Sequence, residues 1–170
     1  MKKSIRVLLV DDHFTARLGL SVPINGEPDM EVIAEAENAA EALKLYRKHQ
    51  PDVVIMDYKL PDRSGVEALE SIRLEFPDAR VLMLTVFDGE EDIYRAVIGG
   101  ASGYLTKSAG RNEVLRAVRA VARGKKHFHP NWKRKFKSAK PANPSSRAKW
   151  KSSAKSCAAR PTSKLPTRCT

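Results

Sequence analysis

Asp11 and Asp12 close one short apolar run, Asp57 closes another, Thr85 a third, and Lys107 follows a fourth. Each has an ordinary structural role open to it. An aspartate pair after a strand caps the next helix. An aspartate before a proline-containing loop does turn chemistry. Threonine is a β-former, and lysine is a surface residue. Brought to one place, the same side chains do something else. Three clustered carboxylates repel one another and need a cation, and hard oxygen ligands without His or Cys favour Mg²⁺. A carboxylate beside Mg²⁺, with lysine and threonine donors around it, is equipped to accept a phosphoryl group.

The elements that would bring them together are legible in the hydrophobic pattern. Apolar runs rich in β-branched residues predict strands at Ile5–Val10, Met30–Ala36, Asp52–Asp57, Ala79–Val86 and, more weakly, Ser102–Thr106. Arg6-Val7-Leu8-Leu9-Val10 is continuous rather than alternating, as in a strand buried on both faces. Between the runs, Ala39-Ala42-Leu43-Tyr46, Val66-Leu69-Ile72, Ile93-Ala96-Val97 and Val114-Val118-Val121 recur at helical spacing. Breakers such as Pro51, Pro61, Gly65, Pro77 and Gly99-Gly100 punctuate the series. Five β–α repeats predict an α/β fold, a doubly wound parallel sheet with helices on both faces. Pro23 is expected to end or kink the first helix early. In such sheets the working site lies beyond the carboxyl ends of the strands, which is where all five side chains fall.

These residues also carry a family resemblance. Asp11, Asp12, Asp57, Thr85, Tyr104 and Lys107 form a set similar to that of the receiver domain of two-component response regulators. Val-Leu-Leu-Val-Asp-Asp-His, Ile-Met-Asp-Tyr-Lys-Leu-Pro-Asp-Arg-Ser-Gly and Gly-Ala-Ser-Gly-Tyr-Leu-Thr-Lys support it, and the Glu27–Met30 segment resembles the NarL/FixJ (LuxR-type) subfamily. The resemblance covers about residues 4–128. It implies a flavodoxin-like five-stranded sheet of order 2-1-3-4-5. It implies that Asp57 takes a phosphoryl group from a sensor histidine kinase. Asp12, Asp57 and the backbone carbonyl of Lys59 would ligate Mg²⁺, with Asp11 reaching it through water. Thr85 and Lys107 would hold phosphoryl oxygens, and Tyr104 would turn into space that Thr85 vacates, reshaping the surface of the fourth helix, fifth strand and fifth helix. Catalysis would be limited to weak self-phosphorylation and slow hydrolysis. The family regulates transcription by binding DNA and often dimerises on activation. His13 reads as a positioning or surface residue rather than a ligand, and Arg111, Arg116, Arg119 and Arg123 as a solvated helix face, with contact to a partner as the alternative.

Charge divides the chain. Residues 1–130 hold 19 Lys and Arg against all 20 Asp and Glu, a net −1. Residues 131–170 hold 12 Lys and Arg and no acid, a net +12, with Phe136 and Leu165 as their only large aliphatic or phenylalanine side chains. The expected domains are therefore a receiver over 1–128 and a disordered basic tail over 129–170. A basic arm touching phosphates, with Trp132 and Trp150 stacking on bases, is one reading of the tail; a linker on a receiver that acts by protein–protein contact is another. Cys157 and Cys169 read as unpaired thiols. A third reading takes the tail as out of frame. Shifted by one base, Arg147–Ser153 permits Arg-Glu-Met-Glu-Val-Leu, and Ala158–Thr170 permits a string containing Thr-Asn-Lys-Gln-Ile-Ala. Their spacing matches the LuxR-type helix-turn-helix. On that reading the DNA-binding domain is lost to a frameshift near codon 130, and DNA is a partner of the family's intact architecture but not of this chain. No apolar run is long enough to span a membrane, and the amino terminus is unlike a signal peptide, so the expected location is cytoplasmic.

Overall fold

The computed structural model describes residues 4–86 and 90–128. Strands β1 (Ile5–Val10), β2 (Met30–Ala36), β3 (Val53–Asp57), β4 (Val81–Thr85), β5 (Gly103–Thr106) and β6 (His127–Phe128) alternate with helices α1 (Phe14–Asn25), α2 (Ala39–His49), α3 (Gly65–Glu75), α4 (Glu90–Ile98) and α5 (Arg111–Ala122). The sheet runs β2-β1-β3-β4-β5-β6, and every pairing is parallel.

The continuous apolar strands are buried on both faces. Leu8, Val10, Val54, Met56, Val81 and Met83 point into a core closed by α2, α3 and α4. Their neighbours Val7, Leu9, Val53, Ile55, Leu82 and Leu84 point the other way, onto α1 and α5. Each fully buried Leu, Ile or Val of these cores contributes about 1.5–3 kcal/mol. The expected doubly wound sheet and the five-strand order are both present.

Two expectations need correction. Among the described residues the sheet has six strands rather than five. Gly124, at φ +75°, follows the end of α5, and His127 and Phe128 then pair with Gly103 and Tyr104. Gly103 lets this close approach happen: a Cβ there would stand 2.5 Å from the His127 carbonyl oxygen. Two residues are too short a run for periodicity to reveal. Pro23 also does not cut α1 short; it lies inside the helix, which continues to Asn25. Its ring costs one hydrogen bond in the last turn, where few remain to be lost.

Local signals explain the helix starts. Asn38 Oδ1 accepts the Glu41 amide at 2.8 Å to open α2. Asp62 accepts the Ala39 and Ala40 amides at 2.9 and 3.1 Å, satisfying two further donors of the same helix end. Ser64 and Glu67 form a reciprocal capping box at the start of α3. Gln50, left-handed at φ 47°, ends α2 and turns the chain into β3.

Candidate functional site

Parallel strands deliver their carboxyl ends to one rim. Asp57 is the last residue of β3 and Thr85 the last of β4. Asp11 follows β1, its amide bonded to the Ala36 carbonyl at the end of β2. Lys107 follows β5, held there by its amide to the Thr85 carbonyl at 2.6 Å. Gly65 sits hard against the same rim: a Cβ at that position would fall 2.0 Å from the Asp57 carbonyl oxygen. Only glycine fits, and its amide ties α3 to the Tyr58 carbonyl at 2.8 Å.

The side chains converge. Lys107 Nζ lies 2.6 Å from Asp11 Oδ2 and 2.7 Å from Asp57 Oδ2. One donor atom from each of Asp11, Asp12, His13 and Asp57 falls within 4.8 Å of the others. Their depths differ. Asp11, Asp57 and Thr85 are buried, while Asp12 and His13 are exposed. Asp57 and Lys107 are thus placed beside each other, and Asp12 beside them at the solvent edge. Tyr104 is 4 % exposed and packs in the core under α2, α3 and α4. Lys59 adjoins the pocket, its amide bonded to the Asp57 carboxylate.

Burial and the neighbouring Asp11 charge push the Asp57 carboxyl above its ordinary range, against the pull of Lys107. Burial alone would lower Lys107, but hydrogen bonds to Asp11 and Asp57 outweigh it and hold the ammonium above its usual value. The pocket therefore carries surplus negative charge that its lysine only partly offsets. The donor set fits a hard cation: three aspartates, two of them buried, supply oxygens alone.

The helix-cap reading of the acidic pair does not hold. The N-cap position of α1 falls to His13, whose side chain makes no capping bond. Asp11 Oδ1 instead accepts the His13 amide at 2.9 Å. The His13 imidazole is exposed and stands 2.8 Å from Asp12 Oδ1. The arginine face of α5 is also only partly solvated. Arg119 binds Asp29 Oδ1 and Glu27 Oε2, each at 2.7 Å, and Arg111 reaches Glu27 at 3.1 Å. Arg116 and Arg123 remain exposed.

One residue at the site escaped the sequence reading. Arg17 is buried beneath the acidic turn, its Nη1 donating to the Asp11 carbonyl at 2.7 Å. A signal existed: Arg17, Ser21 and Ile24 are spaced along one buried helix face, and a charged residue in that stripe needs an explanation.

Comparison with known proteins agrees with this geometry. Residues 7–119 match the response regulator receiver domain. The oxygen regulatory protein NreC of Staphylococcus carnosus is 39% identical over 127 residues, which is 74% of this chain and 58% of that protein. The transcriptional regulatory protein DegU of Brevibacillus brevis is 36% identical over 129 residues, 76% of this chain and 55% of that protein. The chain thus aligns with little more than half the length of these relatives. A two-component response regulator of the LuxR family from Aurantimonas superposes with a TM-score of 0.75 at 38% identity, covering 79% of this chain and 96% of that one. The signal receiver domain of the response regulator NarL from Mycobacterium tuberculosis superposes at 0.70 with 32% identity, covering 72% and 99%. A buried aspartate at the end of the third strand, a lysine bridging it to the first, and these matches lead to one assignment: the chain belongs to the response regulator receiver domain family and carries the receiver of a NarL/LuxR-type two-component regulator.

Proposed function

We propose that Asp57 is the phosphoryl acceptor of this receiver and that a sensor histidine kinase supplies the phosphoryl group. The observation that carries the reading is the Lys107 ammonium 2.7 Å from Asp57 Oδ2, beside two further aspartates. A carboxylate oxygen of Asp57 attacks phosphorus, the bond from phosphorus to the donor nitrogen breaks, and the imidazole leaves with the electron pair. Asp12, Asp57 and the Lys59 carbonyl are the proposed Mg²⁺ ligands, with Asp11 acting through water. Bound there, Mg²⁺ supplies positive charge that lets a phosphoryl group approach three carboxylates.

This chain's own residues do the rest. Lys107 pairs with an oxygen of the arriving group in exchange for one of its carboxylates. Thr85, buried at the end of β4, donates its hydroxyl to another. Tyr104 is buried in the core, and in the proposed switch its ring turns further into space that Thr85 vacates on moving toward the phosphoryl group. Phosphorylation would then favour the arrangement with the ring turned in over one with it turned out, a population shift biased by added charge. Weak self-phosphorylation and hydrolysis belong to the same site. Incubation with acetyl phosphate and separation on a phosphate-affinity gel tests the assignment: the wild-type chain shifts and Asp57→Ala does not. A shift that survives Asp57→Ala contradicts it.

The rest of the chain is read as follows. Residues 1–128 form the receiver, and 129–170 derive from a linker and helix-turn-helix domain read out of frame. That second segment, with Trp132, Trp150, Cys157 and Cys169, lies outside the described residues. DegU is named as a transcriptional regulatory protein; we assign DNA binding and transcriptional control to the family's intact architecture, with a homodimer as the expected active form. Sequencing the gene across codon 130 tests the frame. A shifted frame without the helix-turn-helix pattern refutes the reading. Among the described residues no helix is long and apolar enough to cross a membrane.

A further inference from the structure

Arg17 is the one guanidinium buried among the described residues, and its hydrogen bonds go to three residues at the ends of β1 and β2. Nη1 donates to the Asp11 carbonyl at 2.7 Å, Nε to Glu35 Oε2 at 3.0 Å, and Nη2 to Glu37 Oε1 at 2.6 Å. Glu35 and Glu37 are alternate residues about the end of β2, so both side chains project to the same face. Between them Ala36 accepts the Asp11 amide at 3.1 Å. The Asp11 residue is thus held at both its N–H and its C=O. The carbonyl that Arg17 grips is that of the peptide joining Asp11 to Asp12, and its direction sets where Asp12 begins.

From this arrangement we infer that Arg17 is a positioning residue for cation binding: it fixes the Asp11–Asp12 peptide so that the two carboxylates reach one ion. This rests on the Mg²⁺ site proposed above and deepens it. The chemistry suits the task. A guanidinium stays charged at any working pH and offers a rigid planar fork of donors. Glu35 and Glu37 hold that fork in place, and their two negative charges outnumber its single positive one. A positive group beneath a cation site would otherwise repel the ion. A lysine could supply the charge but not three bonds in one plane.

Position and charge predict opposite signs. If Arg17 acted only through its charge, removing it would tighten Mg²⁺ binding. If it positions the acidic turn, removing it weakens binding, by about tenfold as for other residues that orient ligands without touching the metal. The experiment is calorimetric titration of the full chain with MgCl₂, below the melting temperature of every variant, alongside thermal melts. Wild type, Arg17→Met, Arg17→Lys and Asp12→Asn are compared. The inference expects weaker Mg²⁺ binding in both Arg17 variants, Arg17→Lys included although it keeps the charge. Unchanged or tighter affinity in Arg17→Met, with only a lowered melting temperature, overturns it. If Arg17→Met does not fold, Arg17→Lys decides: wild-type affinity there overturns the inference. Wild type that binds no Mg²⁺, or Asp12→Asn that binds as well as wild type, overturns the site itself and the inference with it. Wild-type binding lost in Asp12→Asn but kept in the Arg17 variants overturns the inference alone.

Discussion

The Lys107 ammonium lies 2.7 Å from the Asp57 carboxylate, although 50 residues separate the two in the chain. The contact is made by topology. The ends of β3 and β5 flank the end of β4, so a side chain after β5 reaches across Thr85 to Asp57. The same ammonium holds Asp11 at 2.6 Å. Lys107→Ala should leave two buried carboxylates without their cation. We expect acetyl-phosphate labelling to slow by at least tenfold, on the scale of a lost charge-assisted bond to a transferring group. Labelling at the wild-type rate would remove Lys107 from the site.

Asp57 gives a prediction about stability. Its folded pKa is raised by burial and by Asp11. For an acid this means the folded chain binds the proton more tightly than the unfolded chain. Above both pKa values the ionised carboxylate therefore destabilises the fold. Asp57→Asn should melt a few degrees above wild type at neutral pH. MgCl₂ should raise the wild-type melting temperature and have less effect on Asp57→Asn, where the charge it offsets is gone. A lower melting temperature for Asp57→Asn contradicts the account of the pocket's surplus charge.

Gly65 joins the fold to the site. A Cβ there would stand 2.0 Å from the Asp57 carbonyl and 3.1 Å from Met83 Cε. Gly65→Ala must push α3 away from β3, at a cost of about 2 kcal/mol or more. Denaturant unfolding measures it. A loss below about half a kcal/mol would show that the approach is not tight.

The pair of Glu27 and Asp29 with Arg119 gives a pH dependence. The Glu27 carboxyl is held below its ordinary value by hydrogen bonds from Arg119 and Arg111. A lowered folded pKa contributes stability that is present above the unfolded value and disappears as pH falls through the folded one. Arg119→Ala should therefore melt below wild type at pH 7. The gap should narrow as pH drops below about 4.5, the ordinary value for glutamate. High salt should narrow it only partly, since Arg119 is half-buried. A gap independent of pH would mean that Arg119 acts through packing.

How far these features were legible depended on period and range. Strands such as Val53–Asp57 are buried at every residue, and a continuous apolar run announces that directly. Asp57, Thr85 and Lys107 could be placed because strand ends share a rim in a parallel sheet. The contacts of Arg119 could not: its partners lie 90 and 92 residues away, and a charge on an amphipathic helix reads as solvated. Arg17 was hidden for the opposite reason. It occupies a core position of α1, and only its three acceptors show how a buried cation is tolerated there. β6 was missed because two residues carry no period.

The proposed chemistry stands or falls with Asp57 as the phosphoryl acceptor. The most direct test is intact mass spectrometry of the full chain after incubation with phosphoramidate and MgCl₂, followed by mapping of the modified peptide. We expect one added phosphoryl group per chain, labile to hydroxylamine as an acyl phosphate, on the peptide containing Asp57, and none when MgCl₂ is replaced by a chelator. A phosphoryl group on any other residue, or undiminished labelling without a divalent cation, would contradict it.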